Sequence, residues 1–167
     1  MVFRMKKADL LFKIICWIQI IGGITGIIQI SNILLQTETI TGPLLLIFLI
    51  GFVLYFFSIY AGVISLDRTN QSGLKLMLIN QALQIFQWSM FGYGLSYSSG
   101  VELLFGIKSP LSFIFHFTII ISTYSMAIKS GSDFFIQVNI VPILVIMFLS
   151  TLYKKEKISR FQELYKS

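Results

Sequence analysis

The chain has 167 residues, of which 56% are hydrophobic and 12% charged, and its formal net charge is +6. Soluble domains contain about 25% charged residues, so the composition excludes an ordinary soluble globule and predicts an integral membrane protein. The basic residues cluster near the two ends of the chain, at positions 4–13 and 154–166, where they are expected to meet lipid headgroups. The sequence contains no separate basic domain of the kind that would indicate a nucleic-acid partner. The lone cysteine, Cys16, cannot form an intrachain disulfide.

Two long apolar segments open the chain. The first predicts a membrane helix over about residues 10–36. Its apolar run is longer than the core of a signal peptide, so we interpret it as a retained anchor. The second predicts a helix over about residues 44–66. It follows Gly42 and Pro43, and a proline suits a helix start because its missing N–H would have no helical partner there.

Small residues recur along one side of each of these two predicted helices. Gly22 and Gly26 are four positions apart, a spacing that lets two membrane helices approach closely. Contacts within the chain are the favoured interpretation, and a seam between two copies is the alternative. The predicted helix-packing residues are Gly22, Gly26, Gly51, Ser58 and Gly62.

A third membrane helix is predicted over about residues 74–97, after a polar turn at 67–73. Asn80, Gln84 and Gln87 are spaced by four and then three residues, so they would form a polar stripe along one side of that helix. Amide groups in lipid must find hydrogen-bond partners. The favoured interpretation is bonding within the bundle. The alternative is that the polar stripe lines a path for a neutral or lipid-like substrate.

The segment Ser109–Gly131 is long and apolar enough to be a further helix, yet its residues alternate. The odd-numbered positions from 111 to 121 are all apolar, whereas the even-numbered positions are mixed. Alternation with a period of two is typical of a half-buried strand. The apolar parity then changes near residues 122–124, which indicates a turn or a bulge. We therefore predict two or three antiparallel strands in a loop over 98–133, with a fifth helix as the alternative.

A fourth helix is predicted over residues 134–153, kinked at Pro142, and a basic tail follows over 154–167. Four crossings place both basic termini on one side, which agrees with the excess of Lys and Arg in cytoplasmic segments. The predicted fold class is an all-α integral membrane protein. It is a polytopic four-transmembrane-helix bundle in the plasma or inner membrane, with both termini cytoplasmic. A small antiparallel β-rich extracytoplasmic insertion lies between its third and fourth helices.

No catalytic or metal-binding constellation is visible in the sequence. There is one histidine, and zinc sites or Ser/His/Asp triads need several convergent groups, so we expect no enzyme, cofactor or metal site. The favoured function is a non-catalytic subunit or partner-binding scaffold. Its partners are the bilayer and another membrane or extracytoplasmic protein, with a homo-oligomer also considered, and the alternative is a small transporter or channel component. The predicted docking surface consists of Phe113, Phe115 and Phe117.

Overall fold

The computed structural model describes residues 2–67, 71–91, 93–108, 112–118, 122–127 and 134–164. Four helices and six strands make up this part of the chain. In chain order they are α1 (Val2–Gln36), α2 (Gly42–Leu66), α3 (Gln71–Leu83), β1 (Phe86–Met90), β2 (Tyr93–Ser98), β3 (Glu102–Lys108), β4 (Ser112–Thr118), β5 (Thr123–Ala127), β6 (Phe135–Asn139) and α4 (Ile140–Leu164).

The six strands form one sheet in the order β4-β3-β6-β1-β2-β5. Each pair of neighbours is antiparallel. The last strand in the chain, β6, lies between β3 and β1, so the centre of the sheet closes only when residues 135–139 are in place. The outermost strands are β4 and β5.

Helices α1 and α2 pack against each other as an antiparallel hairpin. Ile30 of α1 lies near Gly51 of α2, while Ile20 of α1 lies near Gly62 of α2, so the two helices run in opposite directions. Within the described residues, two helical segments are long and apolar enough to cross a membrane: Ala8–Gln36 and Gly42–Leu66. The apolar part of α4, Ile140–Lys154, is shorter than such a span.

The predicted all-α, polytopic four-helix bundle is therefore wrong. The helix expected over 74–97 ends at Leu83, and the following residues form β1 and β2. From Phe86 to Met90, apolar and polar residues alternate. A strand separates these two kinds of residue onto opposite faces, whereas a helix would mix them. The prediction followed the length and hydrophobicity of the segment and overlooked this change of period.

The prediction of a helix over 134–153 is also wrong at its start, because residues Phe135–Asn139 form strand β6. Helix α4 then begins at Ile140, capped by Asn139, whose Oδ1 accepts the Val141 N–H at 3.2 Å and the Leu103 N–H at 3.0 Å. Pro142 consequently lies in the first turn of α4, where a proline breaks no helical hydrogen bond, and not inside a kinked membrane span.

Strands do form in the loop predicted over 98–133, but they are not a separate insertion. Strands β3 and β4 pair from Glu102↔Thr118 to Lys108↔Ser112, and the change of parity falls between β4 and β5. The same sheet also takes in β1, β2 and β6, from segments that were expected to be helical. The extracytoplasmic insertion between two membrane helices is thus replaced by one sheet that spans residues 86–139.

Two apolar clusters join these elements at different levels along α1. In the first, Phe12 and Cys16 of α1 pack with α3 and with Leu149 and Leu152 of α4. In the second, Ile30 of α1 packs with α2 and with Tyr97 of β2. Helices α3 and α4 therefore lie beside the N-terminal half of α1, and the sheet lies beside its C-terminal half.

Candidate functional site

One face of the sheet, here called the outer face, carries only apolar and aromatic side chains. Strand register places Trp88 opposite Leu95 and Ile136, and Phe105 opposite Val138 and Phe115, so these side chains share a face. Most of them are substantially exposed. The outer face comprises Phe86, Trp88, Met90, Tyr93, Leu95, Tyr97, Leu103, Phe105, Ile107, Phe113, Phe115, Phe117, Tyr124, Met126, Ile136 and Val138.

The opposite face, here called the inner face, is mostly polar, although it also carries Leu104 and Phe135. It is buried in the central strands and exposed at Ser112 and His116 of β4. In β1 and β2 its buried positions are Gln87, Ser89, Ser96 and Ser98, each at most 4% exposed. An antiparallel sheet with one wet side normally turns its apolar residues inward and its polar residues outward. This sheet has the reverse arrangement.

A buried carboxylate belongs to the inner face. Glu102 and Gln87 are each 2% exposed, and the Gln87 Nε2 donates to Glu102 Oε1 at 3.1 Å. Because β6 separates β1 from β3, this hydrogen bond reaches across a whole strand. A buried charge is costly unless it is paired or hydrogen-bonded. Glu102 is not among the site residues predicted from the sequence, although its position opposite in parity to Leu103 and Phe105 was a signal that could have identified it.

A second group of polar side chains, here called the polar junction, joins the sheet to the helices. It is centred on Ser58 of α2, whose hydroxyl lies 2.7 Å from that of Ser99. The side-chain amides of Gln19 and Asn80 donate to the same Ser58 oxygen at 3.1 and 3.3 Å. Gln81 in turn donates to Gln19. Helices α1, α2 and α3 and the link between β2 and β3 are thus tied together away from water.

Two tyrosines extend this connection along α2. The Tyr97 hydroxyl donates to Asn80 Oδ1 at 3.1 Å, and the Tyr124 hydroxyl donates to the Ile47 carbonyl at 2.6 Å. Burial raises the pKa of Tyr124 to about 12, and burial also raises the pKa of Tyr97. Both phenols are hydrogen-bond donors at neutral pH, where even a tyrosine with the ordinary pKa of about 10 keeps its proton.

The polar stripe predicted from Asn80, Gln84 and Gln87 is divided between three elements. Asn80 lies on α3, Gln84 in the turn after it and Gln87 on β1, and each is at most 2% exposed. Gln84 stays with Asn80, donating to its carbonyl at 3.2 Å and accepting the Ser99 N–H at 2.9 Å. Gln87 is bonded to Glu102 instead. All three amides make hydrogen bonds inside the protein.

The predicted helix-packing residues all meet other parts of the same chain. An added Cβ at Gly22 would lie 2.6 Å from the backbone of the Ser99–Gly100 link, and one at Gly26 would overlap the ring of Tyr55. Ser58 belongs to the polar junction. Gly51 faces Ile30 and Tyr124, and Gly62 faces Ile20 and Cys16.

The predicted docking residues Phe113, Phe115 and Phe117 lie together on the outer face of β4, at 79%, 70% and 55% exposure. Their neighbours along the strand, Ser112 and His116, are also exposed. Strand β4 is therefore open to its surroundings on both faces, unlike the central strands.

A small cavity of about 50 Å³ lies where α1, α3 and α4 meet the link between β2 and β3. Gln19, Gln81, Gln84 and Ser99 supply its polar lining, among apolar residues of α1 and α4. A cavity of this size and polarity suits one or a few ordered waters. Within the part of the chain that the structure describes, no three His, Cys, Asp or Glu side chains come together as metal ligands.

Comparison of the chain with protein-family models, curated proteins and solved structures gives no match. The features available for assigning a function are therefore the outer face, the inner face and the polar junction.

Proposed function

We propose that this protein is a non-catalytic, membrane-embedded subunit that binds a protein partner by strand addition at β4. The observation that carries the proposal is the position of β4 at the end of the sheet, with three exposed phenylalanines on its outer face. A partner strand would pair with the free backbone edge of β4. Its side chains would pack beside Phe113, Phe115 and Phe117.

The two edges of the sheet differ in a way that favours β4. Near β5, the Ser122 hydroxyl lies 2.9 Å from that of Thr25, so this side of the sheet rests against α1. In the described part of the chain, no strand pairs with the outer edge of β4. Proteins commonly protect a free strand edge with proline, lysine or another charged residue. The seven residues of β4, SFIFHFT, contain none of these.

In the proposed arrangement α1 and α2 cross the plasma or inner membrane, and both termini are cytoplasmic. Support comes from the first apolar cluster, in which Phe12, near the basic N-terminus, packs with Leu152, near the basic tail. The packing of these two residues supports placing both basic ends of the chain on one side of the membrane. Excess positive charge is retained on the cytoplasmic side of membranes.

The transporter alternative rests on no comparable observation. The amides that were expected to line a path are engaged with Ser58, Ser99 and Glu102 inside the protein.

Site-specific photo-crosslinking tests the proposal. A benzophenone amino acid replaces Phe115 on β4 or, as a matched control, Phe86 on β1, which is equally aromatic and 62% exposed. After irradiation of native membranes, the probe at position 115 is expected to give a discrete protein adduct that the probe at 86 does not give. An adduct of twice the chain mass would identify a second copy as the partner. Absence of a protein adduct at 115, or equal adducts at both positions, contradicts the proposal.

A further inference from the structure

We infer that the outer face of the sheet is in contact with lipid acyl chains, so that the sheet lies within the membrane beside the α1–α2 hairpin. This goes beyond strand addition at β4, because it concerns the face of the sheet and not its edge. It assigns the bilayer as the occupant of the apolar outer face.

The distribution of polarity across the sheet is the first support. The outer face contains no charged residue, while the inner face contains Glu102, Gln87 and several buried serines. Water would favour the opposite arrangement because exposed apolar area is unfavourable there. Strands that contact lipid instead turn apolar side chains outward and polar side chains inward.

The level at which the sheet is attached is the second support. The Tyr124 hydroxyl donates to the carbonyl of Ile47, the Tyr97 hydroxyl lies 3.0 Å from the carbonyl oxygen of Leu54, and the hydroxyls of Ser99 and Ser58 lie 2.7 Å apart. All three contacted positions of α2 lie inside the membrane-capable segment Gly42–Leu66. A sheet fixed at these points cannot stand clear of a bilayer that this segment crosses.

The outer face also continues directly from the contact with α2. Tyr97 and Tyr124 pair with each other and pack on α2, and the next outer pair along the same two strands is Leu95↔Met126. Beyond that pair, Tyr93 is exposed. The exposed side of α2 is apolar as well, with Leu49, Val53 and Phe56 each more than half exposed. Helix and sheet therefore present surfaces of the same chemistry to the same surroundings.

The dimensions of the sheet fit this placement. Its strands have between 5 and 7 residues, which at about 3.3 Å per residue gives lengths of roughly 16–23 Å. The hydrocarbon core is about 30 Å thick, so the strands can lie inside it without crossing it. Backbone groups in lipid need partners. Among the described strands, pairing supplies them except along the two outer edges of the sheet. A partner strand would cover the edge of β4, and the side of the sheet near β5 rests against α1.

The two tryptophans of the chain provide the test, because Trp17 lies on α1 and Trp88 on the outer face. Each is exposed, at 54% and 38%, so replacement by phenylalanine is compatible with folding. The W17F variant reports on Trp88 alone and the W88F variant on Trp17 alone. Both are reconstituted into phosphatidylcholine vesicles with plain or acyl-brominated chains, and fluorescence is recorded with and without aqueous iodide.

Both variants are expected to lose most of their fluorescence in brominated lipid and to resist iodide, and Trp88 should emit at short wavelength. Quenching of Trp88 by iodide and not by bromine would place the sheet in water and overturn the inference. Resistance of Trp88 to both quenchers would mean that protein covers the outer face, which also overturns it. Absence of bromine quenching at Trp17 would also overturn the inference, because helix α1 would then lie outside the lipid. None of these results depends on the adduct formed at position 115.

Discussion

Helices α1 and α2 lie close together where the ring of Tyr55 covers Gly26. Tyr55 is completely buried, and its ring packs on those of Tyr97 and Tyr124, so it has no room to move aside. A side chain at position 26 must therefore push the two helices apart or displace a ring that also contacts the sheet.

Gly26→Ala is consequently expected to lower the free energy of unfolding by about 1–3 kcal/mol, the range typical of an overpacked core. Gly42→Ala is the matched control, since an added Cβ at Gly42 meets nothing within 4 Å. The control should leave stability unchanged or raise it by about 0.5–1 kcal/mol, because alanine restricts the unfolded chain. Thermal unfolding in detergent measures both variants. Equal melting temperatures for the two would mean that the Gly26 contact does not constrain the fold.

At the scale of single residues, the sequence indicated small side chains and amides that must be packed or hydrogen-bonded, and it could not name their partners. The spacing of Gly22 and Gly26 predicts close approach of some backbone. The structure shows that Gly22 meets the link between β2 and β3. This contact could not be predicted from the spacing, because it depends on a sheet whose residues lie far along the chain. Glu102 was missed for the same reason, since its partner Gln87 was expected on a helix.

At the scale of elements, the bond between Gln87 and Glu102 connects β1 to β3 across β6. Replacing Gln87 by leucine leaves the Glu102 carboxylate without this donor in a site that is 2% exposed. A buried polar group deprived of its partner costs about 1–3 kcal/mol, and a charged one costs more. Removing both polar groups together avoids that penalty.

We therefore expect Gln87→Leu to destabilise the protein by about 1–3 kcal/mol and the double variant Gln87→Leu/Glu102→Leu to be less destabilised than the sum of the two single changes. Glu102→Gln is the conservative control, because its amide oxygen still accepts from Gln87. The wild type, Gln87→Leu, Glu102→Leu and the double variant form a double-mutant cycle, in which denaturant or thermal unfolding measures the stability of each protein. Strict additivity would show that the two side chains do not interact in the folded protein.

The elements themselves were predictable to different degrees. Helices α1 and α2 followed from apolar runs that reach about 20 residues, and β3, β4 and β5 followed from alternation. The segments 74–97 and 134–153 were misread because each joins a helix to strands with no polar break between them. Length and hydrophobicity then match a membrane helix. Only the alternation of Phe86, Gln87, Trp88 and Ser89 distinguishes a strand from a membrane helix in the first of these segments. So short an alternating run is ambiguous without tertiary contacts.

At the scale of the whole molecule, polar groups gather in the interior and apolar groups face outward on both the α1–α2 hairpin and the sheet. Composition alone predicted a membrane protein, but it could not give the number of crossings, because total hydrophobicity does not distinguish lipid-facing helices from lipid-facing strands. Within the described residues, two helices are long and apolar enough to cross a membrane. Phe12 and Leu152, which adjoin the two basic segments, pack in one cluster.

The arrangement predicts that the link between α1 and α2 and the end of the apolar part of α4 lie on opposite sides of the membrane. Thr39, in the link, and Lys154, on α4, are both exposed. Each is replaced by cysteine in a Cys16→Ala background and treated with a membrane-impermeant maleimide, before and after the membrane is opened. Cysteine at position 39 should react in intact cells, and cysteine at position 154 should react only after opening. Reaction of both positions from the same side would contradict the two-crossing account.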